Sequence, residues 1–124
     1  MRKTITIKRA EKRGQQILLV GDEPPFSLEG AIPKRYMLTD SDHLSFIYIL
    51  EAVDEFIYVF IPQKFWGEMK EVLAQSLNVF LQAGATELEL IGFKEELAYL
   101  IENIEGNANY GEEMEKAVKD TFLT

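Results

Sequence analysis

The sequence predicts an α+β fold: a largely antiparallel sheet with about three helices concentrated in the second half of the chain. Two observations carry that prediction. Short apolar runs bounded by Gly, Pro and Asp fill the first half, whereas apolar residues at helical spacing dominate the second. The length, 124 residues with 47% hydrophobic content, suits a single domain over residues 1–124 that buries its own core.

Thr4–Lys8 places Ile5 and Ile7 in strand alternation, and Gln15–Val20 ends in an aliphatic cluster. Arg13-Gly14 between them suits a hairpin turn. Gly21-Asp22-Glu23-Pro24-Pro25 is a turn, because proline fixes φ and removes a backbone donor. A short extended piece is expected around Arg35–Leu38. Ser45–Leu50 and Phe56–Ile61 are apolar on both faces, so both are expected to be central strands. Taking Leu50 opposite Phe56 puts Tyr48 opposite Tyr58 and Phe46 opposite Phe60. One sheet face is then aromatic (Phe46, Tyr48, Phe56, Tyr58, Phe60) and the other aliphatic, whereas a slip by one residue would mix the two sets. Pro62 opens a helix whose apolar face is Phe65, Trp66, Met69, Val72 and Leu73. Leu77–Leu81 and Thr86–Ile91 read as a hairpin turning at Gly84. A helix from Phe93 to Glu105 stops at Gly106, and a last one starts at Glu112.

The formal net charge of -8 is unevenly distributed. Residues 1–35 hold eight basic and four acidic residues, and no Lys or Arg occurs between Arg35 and Lys64. Arg2, Lys3, Lys8, Arg9, Lys12 and Arg13 flank the first strand, which reads as a solvated edge strand guarded by charge. A nucleic-acid role for this basic hairpin ranks last, because the acidic remainder repels phosphate. The absence of cysteine excludes disulfides, thiolate metal sites and Cys nucleophiles. Met1-Arg2-Lys3 is not followed by the apolar run of a signal peptide, and no run is long enough to span a membrane. A cytoplasmic protein with no membrane association is therefore expected.

Two segments qualify as candidate sites. Asp40, Asp42 and the chain's one histidine, His43, gather oxygen and nitrogen ligands in one pentapeptide. Their spacing matches no metal loop, so an Asx-type turn leading into the next strand is the simpler reading. Asn107, Asn109 and Tyr110 sit between Gly106 and Gly111, but Glu112 and Glu113 stand where a phosphate loop needs Lys and Ser or Thr. A capping box of Asn109 with Glu112 accounts for most of that segment, and the surplus polar groups suggest a small binding loop. Glu87, Glu89, Glu95 and Glu96 read as solvated charge, and Phe65-Trp66 as core. No catalytic residue, metal site or cofactor is assigned.

Two segments, SDHLSFIYILE (Ser41–Glu51) and YLIENIEGNANYGEEM (Tyr99–Met114), resemble a family of small proteins from Bacillus-type bacteria, uncharacterised protein family 0738. The resemblance runs nearly the whole length. It implies a bacterial, cytosolic, stand-alone protein and brings no activity with it. Relatives can carry Asn where this chain has His43, which weakens a catalytic or metal role for that residue.

The first functional expectation is a non-catalytic interaction or regulatory module that forms a homo-oligomer or binds another protein through the aromatic face. Against it stands the N-terminal pair of strands, which could fold over that face as core. The second is a small-ligand binder or metal-dependent enzyme in which Asp40, Asp42 and His43 meet the Asn107–Tyr110 loop around one pocket.

Overall fold

Local hairpins build most of the sheet. The computed structural model describes residues 3–123, so Arg2, named among the basic residues above, lies outside the described residues. Strands β1 (Lys3–Arg13) and β2 (Gln16–Gly21) form the first hairpin, turning at Gly14 with φ +58°. Strands β3 (Ile32–Asp40), β4 (Ser45–Ala52) and β5 (Glu55–Pro62) form an antiparallel meander. Helix α1 (Trp66–Gln75), entered through a 3-10 turn at Gln63–Phe65, leads to the hairpin of β6 (Asn78–Ala83) and β7 (Thr86–Glu89). Helices α2 (Phe93–Ile104) and α3 (Glu112–Phe122) complete the chain.

The α+β class holds, but the sheet is mixed and not largely antiparallel. Its order is β3-β4-β5-β1-β2-β6-β7, with β1 parallel to β5 and β2 parallel to β6. Those two parallel ladders insert the first hairpin between the other two antiparallel units. The physical reason the sequence did not reveal them is simple. Two-residue turns oblige sequence neighbours to run antiparallel, whereas a strand's apolar alternation reads the same in either direction.

The edge-strand reading of the N-terminal segment is corrected by the same order, because β1 is the middle strand. Its first half pairs with β5 and its second half with β2, and a bulge at Lys8 between Ile7 and Arg9 lets one strand serve both. Four of its basic residues are engaged by nearby side chains. Lys3 lies 2.8 Å from Glu55, Arg9 3.5 Å from Glu11, and Arg13 makes two 3.2 Å bonds to Glu87. Lys12 donates to Gln75 at 2.7 Å.

The register of β4 on β5 also differs by one residue from the expected one. Leu50 faces Ile57, Tyr48 faces Val59 and Phe46 faces Ile61. The expected register assumed a five-residue connection, but the chain turns in two residues, Val53-Asp54, with Asp54 in the left-handed region at φ +61°. Each face therefore mixes aromatic and aliphatic side chains. The inner face carries Phe46, Tyr48, Leu50, Ile57, Val59 and Ile61, all buried beneath the helices together with Ile5 and Ile7.

The helices cover only that inner face. Helix α1 buries Trp66, Met69 and Val72, and the Trp66 ring stacks on Phe46 at 4.6 Å. Helix α2 buries Leu97, Leu100, Ile101 and Ile104, and α3 buries Met114, Ala117 and Val118. Of the apolar face expected for the first helix, Phe65, Trp66, Met69 and Val72 are buried and Leu73 is half-buried.

Candidate functional site

The outer face of the sheet has two halves that differ in how their apolar side chains are covered. Around β2, β6 and β7, Leu18, Val20 and Phe80 lie among charged and polar side chains: Arg13, Gln16, Gln82, Glu87 and Glu89 share the face, and Arg13 lies over the Phe80 ring and holds Glu87 across the strands. That bidentate bond raises the Arg13 pKa above its usual value. Around β3, β4, β5 and β1 the outer face is apolar. Pairing places Leu38, Ile47, Phe60 and Thr6 in one row across the four strands. Ile49, Tyr58 and Thr4 form the next row. Phe56 and Tyr36 close the far end; they are 46% and 53% exposed.

These side chains enclose a shallow trough. Ile47 and Ile49 form its floor and are only 6% and 4% exposed, because the larger neighbours rise around them. Three depressions subdivide it. One of about 460 Å³ lies among Lys34, Arg35, Tyr36, Leu38, Ile49, Phe56 and Tyr58. A second, about 360 Å³, shares Leu38 and Tyr58 and reaches Asp40 and Asp42. The third, also about 460 Å³, lies among Thr4, Thr6, Asp40, His43, Ser45 and Phe60. One end of the trough consequently carries Arg35 beside the Lys34–Glu51 pair, and the other carries Asp40 and Asp42.

Local chemistry fixes each end. At the acidic end Asp40 is the last residue of β3, and its carboxylate folds back over the turn. Asp40 Oδ1 accepts from the His43 amide at 3.3 Å, and His43 Nδ1 lies 2.8 Å from Asp40 Oδ2. This is the Asx-type turn expected from the sequence. At the basic end β3 is bulged between Pro33 and Met37, and Arg35 takes φ +54°. Lys34 donates to Glu51 at 3.2 Å. The bulge is anchored from the inner face by Tyr48, whose hydroxyl accepts from the Arg35 amide at 3.3 Å and donates to the Ile91 carbonyl. Burial pushes the Tyr48 phenol up to about 12.

The structure brings some of the sequence candidates together and separates others. Asp40, Asp42, His43, Phe56, Tyr58 and Phe60 all line the trough. Phe46 and Tyr48 belong to the core on the opposite face and are fully buried. The depressions lined by Asp40, Asp42 and His43 contain none of Asn107, Asn109 and Tyr110. Those three sit in the link between α2 and α3, where the Asn107 side chain accepts from the Asn109 amide at 3.0 Å. The capping box of Asn109 and Glu112 does not form: Gly111 is the N-cap of α3 and makes no side-chain cap. Among the described residues no group of three or more His, Asp or Glu side chains is placed to hold a metal ion. Nor is any helix among them long and apolar enough to cross a membrane.

Sequence reasoning missed Tyr36, Leu38, Ile47 and Ile49 as members of this surface. The signal was the two-residue Val53-Asp54 turn, which fixes the parity of the β4–β5 register and with it the residues that face outward.

Compared with known proteins, the chain matches the family model of UPF0738, a family of unknown function, over residues 5–122. The chain belongs to the UPF0738 family. It is 57% identical to a UPF0738 protein of Geobacillus sp. over 124 residues, the full length of both chains. It is 47% identical to one from Geobacillus thermodenitrificans, over 99% of this chain and 98% of that one. A relative from Bacillus cereus is 44% identical over 99% of this chain and all of its own. UPF0738 relatives thus carry a family name and no activity, so the trough must be read on its own chemistry. No solved structure matches.

Proposed function

We infer that the protein is a non-catalytic interaction module of the bacterial cytoplasm, and that the outer trough of β3, β4, β5 and β1 is its working surface. The observation that carries this reading is the contrast between the two halves of one sheet face. The half around β2, β6 and β7 keeps its apolar Leu18 and Phe80 covered, with the Arg13–Glu87 pair lying across them. The other half exposes Tyr36 and Phe56 around a floor of Ile47 and Ile49, and contiguous apolar surface of this kind marks a protein contact. Tyrosine and phenylalanine in its middle, with charges at both ends, match the make-up of an interface centre and rim. Catalysis draws no support here, because the one histidine is an exposed turn residue bonded to Asp40.

Parallel purification of tagged wild type and Tyr36→Asp from the native cytosol tests the reading. Tyr36 is exposed, so its substitution should leave thermal stability within about 0.5 kcal/mol of wild type. Proteins or further copies that co-purify with wild type should be depleted from the variant. Identical sets from both would overturn the assignment.

A further inference from the structure

The two ends of the trough carry opposite charge, and that arrangement makes the surface complementary to itself. Strand β3 carries Arg35 toward its start, beside Lys34 already paired with Glu51, and ends at Asp40 with Asp42 just beyond, so the two ends lie about 20 Å apart. A two-fold axis lying in the plane of the face and perpendicular to the strands would lay β3 across its own copy in the opposite direction. Each basic end then covers an acidic end, twice by symmetry, with Tyr58 and Phe60 near the axis. An axis parallel to the strands would instead place Arg35 over β1, where Lys3 and Glu55 already satisfy one another. We propose that a second copy of this chain covers the trough, packed sheet on sheet with its strands antiparallel. This proposal rests on the reading of the trough as the working surface and names its partner.

Size and chemistry agree with that occupant. Four strands about 4.8 Å apart and roughly eight residues long present on the order of 500 Å² in projection, before side-chain relief. A stable interface buries ~600–1,000 Å² per partner, so the face, with side-chain relief added, reaches the lower end of that range. A small ligand would engage only one charged end, since the ends are separated by the apolar floor. A second sheet supplies both charges and the apolar middle at once, in the aligned packing that sheets adopt face to face.

The test uses the full chain in light scattering with size exclusion, over a wide concentration range. Wild type should be a dimer, and Phe56→Asp, at a site 46% exposed, should be a folded monomer. Arg35→Glu alone and Asp42→Arg alone should each weaken association on the order of tenfold, because each sets like charges together at both contacts. Mixing those two variants should recover the wild-type affinity, since both contacts then join opposite charges. A dimer unaffected by Phe56→Asp, or by Tyr36→Asp should the first variant misfold, would overturn the proposal, and the reading beneath it as well if the variant also retains every co-purifying protein. A strict monomer would overturn the proposal alone, if a photo-reactive phenylalanine analogue at position 56 cross-links a different protein in cells. Loss of affinity without recovery in the mixture would likewise sink the antiparallel arrangement.

Discussion

Tyr48 shows how one side chain on the core side shapes the surface on the other. Its hydroxyl accepts from the Arg35 amide and donates to the Ile91 carbonyl, tying the bulge of β3 to the approach to α2. Tyr48→Phe keeps the ring in the core, where it stacks 6.0 Å from Phe93, but strands both backbone groups. Urea unfolding should register a loss of about 1–3 kcal/mol, with little change in slope. The raised pKa adds a second signature. The phenol loses its proton near pH 10.0 in the unfolded chain and near 12 in the folded one, so folding favours its neutral form. That stability is whole below pH 10 and drains away as pH rises toward 12, so the gap between wild type and Tyr48→Phe should narrow over that interval. A gap constant with pH would show that the hydroxyl is not desolvated as described. The sequence placed Tyr48 among other aromatics but not on the right face. The side to which a strand residue points depends on register, and register depended on a turn that its residue types only weakly mark.

Among the elements, the helices were the legible part. Their 3.6-residue spacing, Pro62 at the start of one and Gly106 at the end of another located them within a residue or two, because those signals are local. The central strands were equally clear, since β4 and β5 are dense apolar runs between polar turns, whereas β1 and β3 run well past the expected Thr4–Lys8 and Arg35–Leu38. Pairing was not legible wherever it joined segments distant in the chain. The hairpin of β1 and β2, a local pairing that the sequence did mark, shows how tightly the sheet packs beside the bulge. Gly21 of β2 faces Ile7 of β1, and a Cβ placed on it would lie 2.6 Å from Ile5 Cγ2 and 3.4 Å from the Thr6 carbonyl oxygen. Ile5 is β-branched and buried, so it has little room to yield. Gly21→Ala should therefore destabilise by roughly 1–3 kcal/mol, measured as a shift in the urea midpoint. A neutral result would mean that β1 relaxes more freely at its bulge than the packing suggests.

For the whole molecule, the central place of β1 reverses what removal of the N-terminal segment should do. A solvated edge hairpin would be dispensable, but deletion of residues 1–13 takes out the strand that joins the β3-β4-β5 unit to the rest of the sheet. The truncated chain should lose cooperative unfolding and near-ultraviolet circular dichroism; a cooperative melt at the wild-type temperature would contradict the strand order. The same placement has a consequence for synthesis on the ribosome. The segment made first must wait for its parallel neighbour, since Lys3 pairs with Ile57 and β2 likewise waits for Asn78 to follow Gln16. Until then the nascent first hairpin has a free flank on each side, the condition under which strands aggregate. The Lys and Arg residues along β1 keep that hairpin hydrated and mutually repulsive between copies during the delay. Charge that reads as edge protection in the sequence thus protects an edge that exists only while the protein is being made.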